Sequence, residues 1–167
     1  MIANTTTAAA AAAAGDPNHP QHERWLLELG RVTYASSQVA TACFNLSRTH
    51  GEHTSLSLQQ DTLGRAAGRL QDMVKERGSF QQLDDFVAEL GPVVTLRNDV
   101  MHALTVRDGL HRRRADDPTY VRNYFEIADL RKVNAALVNA AHLGQVALYA
   151  DGGKAIERWR SRPADQQ

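Results

Sequence analysis

The sequence predicts an all-α, up-and-down bundle of about four main helices, and three observations carry that expectation. Apolar residues recur at alternating spacings of three and four over several long segments, the period of amphipathic helices. No segment alternates with a period of two strongly enough to make a sheet, and no internal repeat is present. A chain of 167 residues is long enough for one hydrophobic core and short for two, so one domain is expected.

The elements follow in order. Residues 1–20, MIANTTTAAAAAAAGDPNHP, have only alanine in their apolar tract and no Lys or Arg. They make a poor signal peptide and are expected to form a disordered Ala-rich tail ahead of a helical domain over 21–167. From His22 to about Arg48, the spacing of Trp25, Leu29, Val32, Ser36, Val39, Cys43 and Leu46 predicts one long helix. The polar stretch THGEHTSLS is a loop, and Leu63, Ala66, Ala67, Leu70, Met73 and Val74 mark a second helix ending near Gly78. Ser79-Phe80-Gln81-Gln82 fits a capping box opening a third helix. Gly91-Pro92 is expected to kink or restart that helix, because proline donates no intrahelical bond. Helical spacing resumes through Val93, Leu96, Val100, Met101 and Leu104, as far as Val106. Residues 107–125 lose the periodicity and suggest a long loop or small hairpin. Asp129 can cap a last long helix bearing Leu130, Val133, Leu137, Ala140, Gly144 and Leu148 on one face, with Asp151-Gly152-Gly153 as its stop. A short tail helix around Ile156 and Trp159 is expected to pack back.

Net charge is zero, so any attraction to nucleic acid must be local. The cations are 16 Arg against 3 Lys, a bias that suits bidentate grip on phosphate and equally reflects base composition. A single cysteine, Cys43, excludes an internal disulfide and falls on the apolar stripe of the first helix, where a buried thiol is expected. With no disulfide framework and no run apolar enough to span a bilayer, a cytoplasmic protein without membrane contact is expected.

The segment with most chemistry is Arg97-Asn98-Asp99-Val100-Met101-His102. On a helix, Asn98 and His102 stand one turn apart on one face, while Arg97 lies roughly 140° around from His102 and about 7 to 8 Å along. Metal-independent RNA cleavage needs a group that moves protons at the 2′-hydroxyl and leaving oxygen, and a cation on the phosphorane. His102 and Arg97 are of those two types, and Asn98 can orient the imidazole or a ribose hydroxyl. Taken alone, an Arg and a His at this spacing also describe a surface cation and a structural histidine.

An RNxxxH segment late in the third helix of a small bundle, followed by a loop and a long last helix, resembles the HEPN superfamily. The likeness spans most of residues 22–150 in architecture and six positions in sequence. It implies a homodimeric, metal-independent endoribonuclease, of the kind found in toxin–antitoxin, phage-defence and RNA-processing systems, with no cofactor. It also implies that Arg97 of one subunit approaches His102 of the other across a two-fold axis. The partners implied are RNA, a second copy, and an antitoxin or nucleotidyltransferase-like protein. The alternative is a catalytically inactive HEPN-like module that binds a nucleotide or a protein partner.

Arg107, Arg112, Arg113 and Arg114 after the motif could grip RNA phosphates, or pair with Asp116 and Asp117 in a solvated loop. Tyr120, Tyr124 and Phe125 could stack on bases or pack a hairpin onto the bundle. His50 and His53 with Glu52 make a poor metal site, and none is expected. His142 reads as a packing or interface residue, and Glu23, Glu28 and Tyr34 as polar groups that could face the cleft.

Overall fold

The computed structural model describes residues 20–48, 62–106, 109–112 and 123–163. Helix α1, Pro20–Ser47, buries Val32, Val39, Cys43 and Leu46, the stripe its spacing predicts. Its Thr33 and Ser36 hydroxyls donate back to the carbonyls of Leu29 at 2.9 Å and Val32 at 2.7 Å, which satisfies them within the helix. Helix α2, Leu63–Arg77, is capped by Thr62, whose hydroxyl accepts from the Arg65 N–H at 3.4 Å. Gly78, at φ 71°, turns the chain out of α2 in a conformation that an L side chain would resist.

Helix α3, Gln81–Met101, differs from expectation at three points. Its cap is Phe80, not Ser79, and no side chain caps it, so the capping box does not form. The Ser79 carbonyl instead accepts from Arg162 Nη1 at 3.3 Å, so the turn is set by the far end of the chain. Gly91 and Pro92 lie inside one continuous helix. Both are exposed, and the helix does not restart there although residue 92 donates no intrahelical bond. Finally, α3 stops at Met101, and the chain goes straight into strand β1, Leu104–Val106.

β1 pairs antiparallel with β2, Gly109–Arg112, in the register Thr105 to Leu110. β2 pairs in turn with β3, Asn123–Phe125, in the register His111 to Tyr124. The segment expected as a loop or small hairpin thus holds a short three-stranded meander between α3 and helix α4, Ile127–Leu148. α4 is capped by Glu126, and Asp129 serves as its third residue, accepting the Glu126 N–H at 3.1 Å. After Leu148, Asp151, Gly152 and Gly153 take φ of 52°, 61° and 85°, which ends the helix where the sequence places the stop. Helix α5, Lys154–Arg160, then folds back with Ile156 and Trp159 buried.

The helices form one all-α bundle around a single core. α1 and α4 are its most extensive pair. The Arg131 to Glu28 contact at one end, and the approach of Gly144 to Ala42 at the other, show that they run parallel. α3 runs against both: Phe86 lies beside Gly144, and Met101 Sδ lies 3.9 Å from the Thr33 hydroxyl. Gly64 at the start of α2 lies against Val94 late in α3, so α2 also runs against α3; direction alternates through α2, α3 and α4, while α1 runs parallel to α2, which departs from a strict up-and-down order. A Cβ on Gly144 would stand 2.6 Å from Ala42 Cβ, so glycine is what allows α4 to seat on α1. α5 locks the far end. Trp159 Nε1 donates to the Gly78 carbonyl at 2.6 Å, Arg77 Nη1 donates to the Arg160 carbonyl at 2.9 Å, and Arg160 donates to the Asn45 carbonyl.

Candidate functional site

Arg97 is not a surface cation. The buried ridge of α3 runs through Leu83, Phe86, Leu90, Val93 and Val100, and the three-four spacing puts Arg97 on that ridge between Val93 and Val100. Its side chain is half-buried, with Nε enclosed and without a hydrogen-bond partner, and Nη1 donates to Asn98 Oδ1 at 3.0 Å. A charged, forked donor set is thus held at the edge of the core by its neighbour's amide. Burial of an unpaired N–H costs about 1 to 3 kcal/mol, so this arginine works against stability at its position.

Asn98 therefore has its carbonyl oxygen committed to Arg97, and its remaining amide donors are what it can offer to an imidazole or a hydroxyl. His102 is exposed and closes α3, with φ −105° and ψ 7° and its backbone N–H donating to the Asn98 backbone carbonyl at 3.0 Å. The helix ends there because β1 begins two residues later, and this leaves the imidazole on a rim rather than on a helix wall. Asp99, between them, is buried. Leu96, just before the motif, and Met101, within it, both read from the sequence as part of the apolar stripe, are 36% and 40% exposed.

Of the candidate RNA-gripping cations, Arg112 lies on β2, in register with Asn123, while Arg107, Arg113 and Arg114 fall outside the described residues. So do Asp116, Asp117, Tyr120, His50, Glu52 and His53. Tyr124 is in register with His111 on β3, and Phe125 is half-buried against the core. Among the described residues no cluster of His, Cys, Asp and Glu is placed to hold a metal, and no helix is long and apolar enough to cross a membrane. Cys43 is fully buried, and burial pushes its thiol up to about 12.

The first helix offers a second constellation. Glu28 is buried, and its Oε1 accepts from Arg131 Nε at 2.9 Å and Arg31 Nη1 at 3.1 Å. The Arg131 hydrogen bond, against the opposing effect of burial and with help from Arg31, holds the Glu28 carboxyl below the usual range. Arg131 escaped sequence reasoning because its partner lies 103 residues away. Arg31 also borders an open groove of about 420 Å³ on the seam of α1 and α4, shared with Tyr34 and His142. Glu23 is exposed at the start of α1.

The architecture is thus an all-α bundle with a small meander inserted before its last long helix, and an Arg-Asn pair and a histidine at the end of the third. The chain matches no protein-family model, no curated protein and no solved structure.

Proposed function

We propose that this protein is a metal-independent endoribonuclease of HEPN type, acting as a homodimer with its active site assembled between subunits. The observation that carries the reading is the placement of Arg97: a half-buried guanidinium on the ridge of α3, its fork held by the amide of Asn98, stands just over one turn ahead of the exposed His102. His102 of the other subunit takes the 2′-hydroxyl proton as that oxygen attacks phosphorus, and the Arg97 guanidinium stabilises charge on the phosphorane. The 5′-oxygen leaves with a proton taken from water, His102 releases its own to solvent, and a 2′,3′-cyclic phosphate remains. Asn98 holds the fork of Arg97 and can place an amide donor on the ribose. The exposed Leu96 and Met101 at the motif support self-association at this end of α3. Arg107, Arg112, Arg113 and Arg114 supply phosphate contacts along the strand. An antitoxin or nucleotidyltransferase-like partner, and a cytoplasmic setting, belong to the same reading.

The test is cleavage of single-stranded RNA in EDTA. Arg97→Ala and His102→Ala should each lower the rate by about a hundredfold or more while preserving helicity and dimerisation. Undiminished cleavage by both variants would remove the assigned roles. The absence of cleavage by the parent chain over a wide pH range, with dimer formation intact, would favour the inactive module.

A further inference from the structure

The seam of α1 and α4 carries a built groove on a different face from the motif. Thr33 meets Met101 on one flank of α1, whereas Arg31, Tyr34 and Gln38 stand about 100 to 160° around the helix from Thr33. The floor is apolar, formed by Ala35, Val138 and Ala141. Three carboxamides, Gln38, Asn134 and Gln145, look onto it, and each can donate and accept at once. Tyr34, 69% exposed, offers an open ring face at the rim.

One end of the seam is cationic. Arg31 lines the groove, and Arg131 stands one turn before Asn134 on the same face of α4; both are more than half exposed, and both donate to the same Glu28 oxygen, which engages one nitrogen of each. A carboxylate that is itself buried makes this a rigid mount for two guanidiniums rather than two mobile side chains. The cluster keeps one net positive charge. A groove of this size falls within the range of small-ligand sites, at about 300 to 1,000 Å³.

Phosphate at one end, an aromatic platform beside it and paired donor-acceptor amides on the walls match one ligand chemistry. We propose that the α1–α4 groove binds a nucleotide unit, its phosphate on Arg31 and Arg131, its base against Tyr34 and its base edge read by Gln38, Asn134 and Gln145. The unit is either a free mononucleotide or one residue of a single strand, and the site is independent of RNA cleavage at Arg97 and His102.

Calorimetric titration of the full chain with adenosine and guanosine 5′-monophosphates, inorganic phosphate and a single-stranded deoxyoligonucleotide tests this. The oligonucleotide lacks the 2′-hydroxyl, so binding is read apart from cleavage. Saturable binding of a mononucleotide, weakened about tenfold or more by Arg31→Ala and by Tyr34→Ala and kept by Tyr34→Phe, is expected. Binding of the oligonucleotide alone, weakened by the same variants, assigns the groove to a strand. Three results would overturn the proposal: no binding of either ligand, phosphate binding as tightly as the nucleotide, or affinity unchanged in both alanine variants. A change of oligomeric state in those variants without loss of ligand binding would assign the groove to a second copy instead.

Discussion

Arg97 carries most of the functional reading, and its position was legible from spacing alone. Leu83, Phe86, Leu90, Val93 and Val100 leave one place in the three-four pattern, and Arg97 fills it. What obscured it was composition: Leu96 and Met101 are apolar and draw the stripe toward themselves, yet both reach the surface. The arrangement predicts a trade between stability and activity. Arg97→Leu should raise stability by about 1 kcal/mol, by removing the unpaired Nε and adding apolar surface between Val93 and Val100, and should abolish cleavage. Denaturant melts of the two chains check the first half, and a lower midpoint for the leucine variant would contradict it. Cys43 gives a simpler prediction. With its thiol pushed up to about 12 and its side chain enclosed, it stays protonated and should resist alkylation at pH 8 in the native fold, reacting promptly in denaturant.

Whole elements were read well where the information was local. α1, α2 and the stop at Asp151-Gly152-Gly153 follow from apolar period and turn chemistry and stand where the sequence places them to within a residue or two, whereas α4 is capped three residues earlier than expected, by Glu126 and not Asp129. The two ends of α3 were not legible, because both are decided by distant partners. Its start is set by Arg162 on the Ser79 carbonyl and Trp159 on Gly78, and its end by strand pairing that draws Leu104 and Val106 out of the helical pattern. Gly144 likewise reads as one small residue on an apolar face, and only the pairing of α4 with α1 shows why it is glycine. Gly144→Ala gains about 1 kcal/mol of helix propensity but forces a methyl against Ala42 and Phe86, for a net loss of about 1 to 3 kcal/mol. Thermal melts check this, and a stabilised Gly144→Ala chain would mean that α1 and α4 do not approach this closely.

The whole molecule should weaken in acid through two carboxylates. Glu28 is held below its usual range chiefly by Arg131, and Asp129 chiefly by the Glu126 N–H with help from Lys132. A depressed folded value contributes stability that is fully present above the unfolded value, near pH 4, and is lost as pH falls through the folded one. Denaturation midpoints should therefore drop below about pH 4, and Glu28→Gln should flatten that fall; an equally steep fall would take Glu28 out of the account. In the proposed enzyme, two copies complete one active site. Arg97 and His102 point to different flanks of α3, a misfit visible in the sequence and consistent with the ridge position of one and the rim position of the other. Mixing separately inactive Arg97→Ala and His102→Ala chains, allowing subunits to exchange, and measuring RNA cleavage in EDTA tests it most directly. Half the dimers would be mixed and each would hold one intact site, so activity should return to about a quarter of the parent rate. No recovery from chains shown to have exchanged would contradict a site shared between subunits.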